Sequence, residues 1–155
     1  MPTQDDALQR LQAHYDAMPP VAALGMRVAA HDGRHLRLEA PLALHVNDKG
    51  CAFGGSLGSL LTLAGWGLLH LGLEAAGIDA DIYVADSQLR FHAPLFGDLQ
   101  AEAMLAPAAD WDAFAGALRA RGRARVEVVA GVPLPSGGLA TSFSGRYVAI
   151  LRGGD

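Results

Sequence analysis

Charge is missing where it would be most expected: from Gly50 to Leu73 there is no Asp, Glu, Lys or Arg. Over the whole chain of 155 residues only 18% are charged, which excludes disorder. Cysteine is almost absent. Cys51 stands alone and forms no internal disulfide. The six histidines show no paired metal-ligand spacing with acids or with Cys51. No Gly-x-Ser-x-Gly elbow occurs, so a strand-turn-helix serine nucleophile is not signalled. Nothing at the N-terminus has the charged-then-apolar pattern of a signal peptide, and a cytoplasmic location is the expectation. A net charge of -4 and a pI near 5.8 give no reason to expect nucleic-acid binding.

What is present is apolar. Hydrophobic residues make up 51% of the chain and the mean hydropathy is +0.21, an excess that implies a membrane segment or apolar surface hidden in an oligomer. A membrane-spanning helix needs about 20 apolar residues, and Leu57 to Leu73 comes close. However, Ser56, Ser59, Thr62 and His70 interrupt it, five glycines favour close packing, and no basic cluster marks a cytoplasmic side. A helix apolar on nearly all sides also suits a sheet that wraps around it, and no membrane partner is expected.

The chain reads as one domain with no linker or repeat. Leu8, Leu11, Tyr15 and Met18 recur at helical spacing, which predicts an N-terminal helix within residues 1–20 that Pro19-Pro20 end. Two extended segments around the Asp32-Gly33 turn read as a hairpin. A central helix is predicted over 55–76, closed by Gly77. Asp81 to Pro94 reads as a strand with Ser87, Leu89 and Phe91 alternating against Gln88, Arg90 and His92. Leu99 to Leu105 is another strand, and Asp110 caps a short helix carrying Trp111, Phe114 and Leu118. Two more strands follow, Gly122 to Val132 and Leu139 to Arg152. This is an α+β pattern in which a curved antiparallel sheet buries one long helix.

At 100° per residue, Ser56, Ser59, Thr62, Trp66 and His70 share a sector of about 120° on that helix. Leu57, Leu60, Leu61, Ala64, Leu68 and Leu71 take the opposite side and should pack on the sheet. The small, hydroxylic side faces either a ligand cleft or a packed neighbour, since small residues suit both. Ahead of the helix, Asn47-Asp48-Lys49-Gly50 is turn-prone, and Gly54-Gly55-Ser56 supply the first free N–H groups. With the helix dipole these favour a carbonyl oxygen or an anion.

The run Asn47-Asp48-Lys49-Gly50-Cys51-Ala52-Phe53-Gly54-Gly55-Ser56-Leu57, followed by Leu63-Ala64-Gly65-Trp66, Ala85-Asp86-Ser87 to Pro94 and Gly97-Asp98-Leu99, resembles the hotdog-fold thioesterases. Within them it is most similar to the YiiD C-terminal type of thioesterase domain, from about Leu24 to the end. The resemblance implies a hotdog fold and a homodimer or dimer of dimers. It implies acyl-CoA or acyl-carrier-protein substrates held near the subunit interface. No cofactor is implied beyond the coenzyme A carried by the substrate. Some relatives carry an acetyltransferase domain ahead of this one, an activity not expected of these residues. In the related PaaI-like group the loop reads Asn-x-x-Gly-x-x-His-Gly-Gly, with an acid nine positions after the His. Here Asn47, Gly50, Gly54 and Gly55 match, but Phe53 replaces the His and Thr62 replaces the acid.

Thioester hydrolysis needs an activated water, donors for the oxyanion and room for the acyl chain. The expected donors are the amides of Gly54, Gly55 and Ser56; Phe53, Ser59 and Thr62 are the expected cleft lining. Asp48, oriented by Asn47, is the first candidate base and Asp86 the second. Two other readings stay open: a binding module that holds acyl thioesters without cleaving them, and a hotdog dehydratase or hydratase, which the missing His disfavours. Arg119, Arg121, Arg123 and Arg125 suit coenzyme A phosphates or a solvated strand face.

Overall fold

The computed structural model describes residues 3–153; Met1 and Pro2 of the predicted N-terminal segment lie outside them. Helix α1 is Gln4–Asp16, opened by a Thr3–Asp6 capping box. Pro19-Pro20 do more than end it. They start a second short helix, α2 (Pro19–Ala22), because proline is pre-set for the first helical turn, where its missing N–H is not needed. Strands β1 (Arg27–His31) and β2 (Leu36–Ala40) form the expected hairpin. One turn of 3-10 helix, Leu42–Leu44, leads to the loop ahead of α3 (Gly54–Ala75). Then come β3 (Ala80–Phe91), β4 (Leu99–Leu105), α4 (Trp111–Arg121), β5 (Arg123–Pro133) and β6 (Leu139–Leu151).

The six strands form one antiparallel sheet in the order β1-β2-β4-β5-β6-β3. Helix α3 lies in its concave face. All six residues of the predicted sheet-facing side, Leu57, Leu60, Leu61, Ala64, Leu68 and Leu71, are buried. A fully buried leucine contributes about 1.5–3 kcal/mol, so this face anchors the helix far more strongly than helix propensity does. Ala101 and Ala103 on β4 keep the sheet floor shallow beneath it. Helix α3 is also long and apolar enough to cross a membrane by length and composition, and 56% of its most apolar window is buried inside the protein. The arrangement is the hotdog α+β fold that the loop and helix motif implied.

Two tyrosines clamp the middle of α3. Tyr147 on β6 donates to the Thr62 carbonyl (2.6 Å), and Tyr15 on α1 donates to the Leu63 carbonyl (2.6 Å). Burial pushes both phenol pKa values up, so both hydroxyls keep their protons and remain donors. Gly65 and Gly67 make room for them: a Cβ at either position would overlap the phenol next to it.

The sheet's two outer edges differ. Along β1, the Gln12 side chain bonds the Val28 N–H (2.7 Å) and the Met26 carbonyl (3.1 Å), and Gln4 bonds the His31 carbonyl. Along β3, β6 lies on one side and, among the described residues, no strand pairs on the other. Of its twelve residues only Ile82 is buried.

A candidate active site at the start of the central helix

The loop before α3 is built by Asn47. Its Oδ1 accepts from the N–H groups of Lys49 (2.8 Å) and Cys51 (3.1 Å), and its own N–H reaches the Cys51 carbonyl (2.8 Å). Gly50 takes the positive φ of 81° that this tight return requires. Asn47 thus holds the loop closed. Asp48 projects from it into solvent beside Lys49 Nζ (3.0 Å).

Phe53 stands at the N-cap of α3 and has no side chain able to cap it. Of the three amides expected to be free, that of Ser56 is already bonded to the Phe53 carbonyl (3.0 Å). Among the described residues the amides of Gly54 and Gly55 have no acceptor. Two aromatic rings flank them: a Cβ on Gly54 would lie 3.3 Å from the Phe91 ring, and one on Gly55 2.6 Å from the Phe53 ring. The residue that replaces the motif histidine therefore walls the donor pair with an apolar surface.

His45 fixes this helix start. It is buried; its Nδ1 lies 2.8 Å from Ser56 Oγ and its Nε2 2.7 Å from the Leu24 carbonyl. A carbonyl only accepts, so Nε2 carries the proton, and in the neutral ring Nδ1 accepts from the Ser56 hydroxyl. The His45 carbonyl also receives the Phe53 N–H (2.7 Å). The ring thus ties the first turn of α3 to the segment between α2 and β1. Ser56 directs its hydroxyl into this strut and does not line the groove outside. In the sequence His45 carried no signal beyond its position just ahead of the loop, because its partners lie 11 and 21 residues away.

From Gly54 and Gly55 a groove of about 590 Å³ runs along α3, bounded by Gly58, Ser59, Thr62, Val21, Leu24 and Leu89. Thr62 gives its hydroxyl proton to the Gly58 carbonyl (2.8 Å). Among the described residues no ionisable side chain lines the groove. The hydroxylic stripe thus meets different surroundings along the helix. Its N-terminal half opens on the groove. Its C-terminal half carries Trp66 in a cluster of three mutually contacting rings with His14 and His70 (centroids 5.0, 5.0 and 5.3 Å apart), and the Trp66 Nε1 bonds the Ile82 carbonyl (3.2 Å).

Asp86 lies opposite Arg146 in the β3–β6 register and pairs with it on the outer face of the sheet. Ser87, Leu89 and Phe91 turn toward α3 instead, opposite Gly145, Phe143 and Thr141. The structure thus gathers Gly54, Gly55, Ser59 and Thr62 around one groove, sets the Phe53 ring against Gly55, and leaves Asp86 on the far side of the sheet. Arg119 donates to the Ala76 carbonyl (3.1 Å) just beyond the end of α3, and Arg123 and Arg125 are exposed on β5. Among the described residues no three His, Cys, Asp or Glu side chains converge as a metal site.

A family model described as "Putative thioesterase (yiiD_Cterm)" matches residues 8–151. A protein of unknown function from Chlorobaculum tepidum has a similar structure, with a TM-score of 0.90 at 26% identity over 97% of this chain and 98% of that one. A "putative thioesterase" from Shewanella oneidensis is similar at a TM-score of 0.83 and 26% identity, over 95% and 99% of the two chains. A Pseudomonas aeruginosa structure at 22% identity, with a TM-score of 0.80 over 98% and 99%, shares the fold.

Proposed function

The chain belongs to the YiiD C-terminal thioesterase family, and we propose that it hydrolyses acyl thioesters, carried by coenzyme A or an acyl-carrier protein, at the start of α3. The observation that carries this reading is the pair of unpartnered amides at Gly54 and Gly55, set at the positive end of a 22-residue helix and opening on an uncharged groove. Donors placed where charge develops are worth most in an environment of low dielectric, which the Phe53 and Phe91 rings would supply once a second copy covers them.

The reaction runs as follows. The thioester carbonyl oxygen docks on the two amides, with the acyl chain along Gly58, Thr62 and Leu89. A water loses a proton to a carboxylate while its oxygen attacks the carbonyl carbon, and the negative charge moves to the oxygen held by Gly54 and Gly55. Collapse of the tetrahedral intermediate breaks the C–S bond. The thiolate leaves and takes up the proton held by the carboxylate base, and the carboxylic acid formed gives its remaining proton to solvent and departs as a carboxylate. Asp48 is the base in this reading, since it stands on the loop that leads into the helix. Asp86 ranks second because it is engaged with Arg146 on the outer face.

A second copy of the chain completes the site. Phe53, Phe91, Phe96, Leu44 and Val46 are all exposed, and Phe53 and Phe91 flank the helix start. The edge of β3 beside them is uncovered, unlike that of β1. Antiparallel pairing of β3 with its copy would cover the strand edge and bring the partner's surface up to the groove. A homodimer, or a dimer of dimers, is the assembly proposed.

One observation favours a second reading. Among the described residues no carboxylate lines the groove, which suits a module that binds acyl thioesters without cleaving them. Thiol release from acyl-CoA of several chain lengths separates the two. With Asp48 as base, Asp48→Asn should lower turnover by about 10²–10⁴-fold, with Asp86→Asn close to wild type. If Asp86→Asn abolishes thiol release and Asp48→Asn does not, the base assignment is reversed. Binding of acyl-CoA with no thiol release by the wild type supports the binding module.

A further inference from the structure

A second cavity, of about 600 Å³, lies beside the C-terminal half of α3. It is separate from the thioester groove. Leu68, Leu71 and Ala75 sit on the side of the helix roughly opposite Gly58, Ser59 and Thr62, and Leu71 is about 18 Å along the axis from Ser59. Its volume falls within the range of about 300–1,000 Å³ typical of small-ligand sites.

The cavity walls are apolar: Leu71 from α3, Met104 and Leu105 from β4, and Trp111 from α4. Trp111 is held flat by a missing side chain, since a Cβ on Gly72 would lie 2.5 Å from its ring. At the mouth stand His31 and Arg34, from the end of β1 and the turn after it. Among the described residues no Asp or Glu lines the cavity. Asp32 is close in sequence, but its carboxylate is taken by the N–H groups of Arg34 and His35 and by the His35 ring. The Arg34 guanidinium has no ion-pair partner among the described residues. Burial holds the His31 pKa below its ordinary value against the opposing pull of Asp32, so at neutral pH this ring offers hydrogen bonds but no charge. Among the described residues the cavity thus presents a long apolar wall and, at Arg34, one cation without an ion-pair partner.

We infer that this cavity is a second ligand site, for an amphiphile with a single anionic head, a free fatty carboxylate: its chain lies against Leu71, Met104 and Trp111, and its carboxylate pairs with Arg34. The inference stands apart from the proposed reaction, because the site shares no residue with the groove at Gly54 and Gly55 and requires no thioester cleavage.

Calorimetric titration of the intact protein with decanoate, below its micelle concentration, tests this. Binding at one decanoate per chain is expected. Arg34→Gln removes a charge-assisted contact and should weaken binding about 10- to 100-fold. Ala75→Phe fills the cavity from an exposed helix position and should abolish binding; Ala109→Phe, from the loop facing it, is the second blocking variant should the first not fold. Thr62→Leu, in the other groove, should leave the affinity unchanged. Absence of binding overturns the inference. So does binding that survives both blocking variants, that Thr62→Leu removes instead, or that decanol matches in affinity.

Discussion

Alanine at Gly65 and alanine at Gly116 are the same chemical change in two helix interiors, yet they should act in opposite directions. In a helix interior, Gly→Ala gains about 1 kcal/mol from backbone propensity. Gly116 on α4 is exposed, and a Cβ there meets nothing within 4 Å, so it should realise most of that gain. Gly65 is buried, and its Cβ would lie 2.8 Å from Tyr147 Cζ and closer still to the hydroxyl. Tyr147 is 1% exposed and cannot swing away. Overfilling a packed core costs about 1–3 kcal/mol, and displacing the 2.6 Å bond from Tyr147 to the Thr62 carbonyl costs a further ~0.5–1.5 kcal/mol. The intrinsic gain offsets only part of this, leaving Gly65→Ala about 2 kcal/mol less stable, a fall of about 4–8 °C in Tm for a chain of this size. Urea and thermal unfolding at one fixed protein concentration measure both variants, since oligomerisation makes Tm depend on concentration. Tyr147→Phe removes the nearest clashing atom, so Gly65→Ala should cost less in that background, with a coupling outside ~0.5 kcal/mol. A Gly65→Ala protein as stable as Gly116→Ala would refute the account of how α3 is clamped.

Thr62→Leu should raise KM or shorten the preferred acyl chain at little cost in stability, because Thr62 is only half-buried at the groove; a lower Tm with unchanged kinetics would instead mean that it packs. Stability should fall in mild acid on account of His70. Burial first, then the charge of His14, with an opposing pull from Glu74, hold its folded pKa below 6.5. The unfolded chain therefore binds the proton more readily, and this contribution is complete above about pH 6.5 and is lost as pH falls toward the folded value. Tm measured from pH 8 to pH 5 should flatten in His70→Gln. Sedimentation at micromolar concentration should give a multiple of the 16.1 kDa chain mass; a monomer would rule out β3 pairing.

The parts of this protein that follow from backbone period were legible in the sequence. The 100° step of a helix set Leu57, Leu60, Leu61, Ala64, Leu68 and Leu71 on one side, and all are buried. The two-residue period of a strand separated Ser87, Leu89 and Phe91 from Gln88 and Arg90, and Asp110 caps α4 through the Ala113 N–H (2.9 Å) as its position implied. The Gly54-Gly55 pair, opening a helix with no charged residue before Glu74, also marked where the site is proposed, because dipole and free amides are properties of a helix end wherever it lies. Contacts between distant segments were decided by the sheet order and register. Strand pairing put Arg146 opposite Asp86, 60 residues away, and so drew that carboxylate to the outer face. Packing of the loop against α2 and β1 brought Leu24 to His45 and made that histidine a strut, and Phe91 reached Gly54 only because β3 runs beside α3. The hydroxylic stripe was one sector in sequence, and the tertiary structure divided it: α1 lays His14 against Trp66, while Ser59 and Thr62 line the groove.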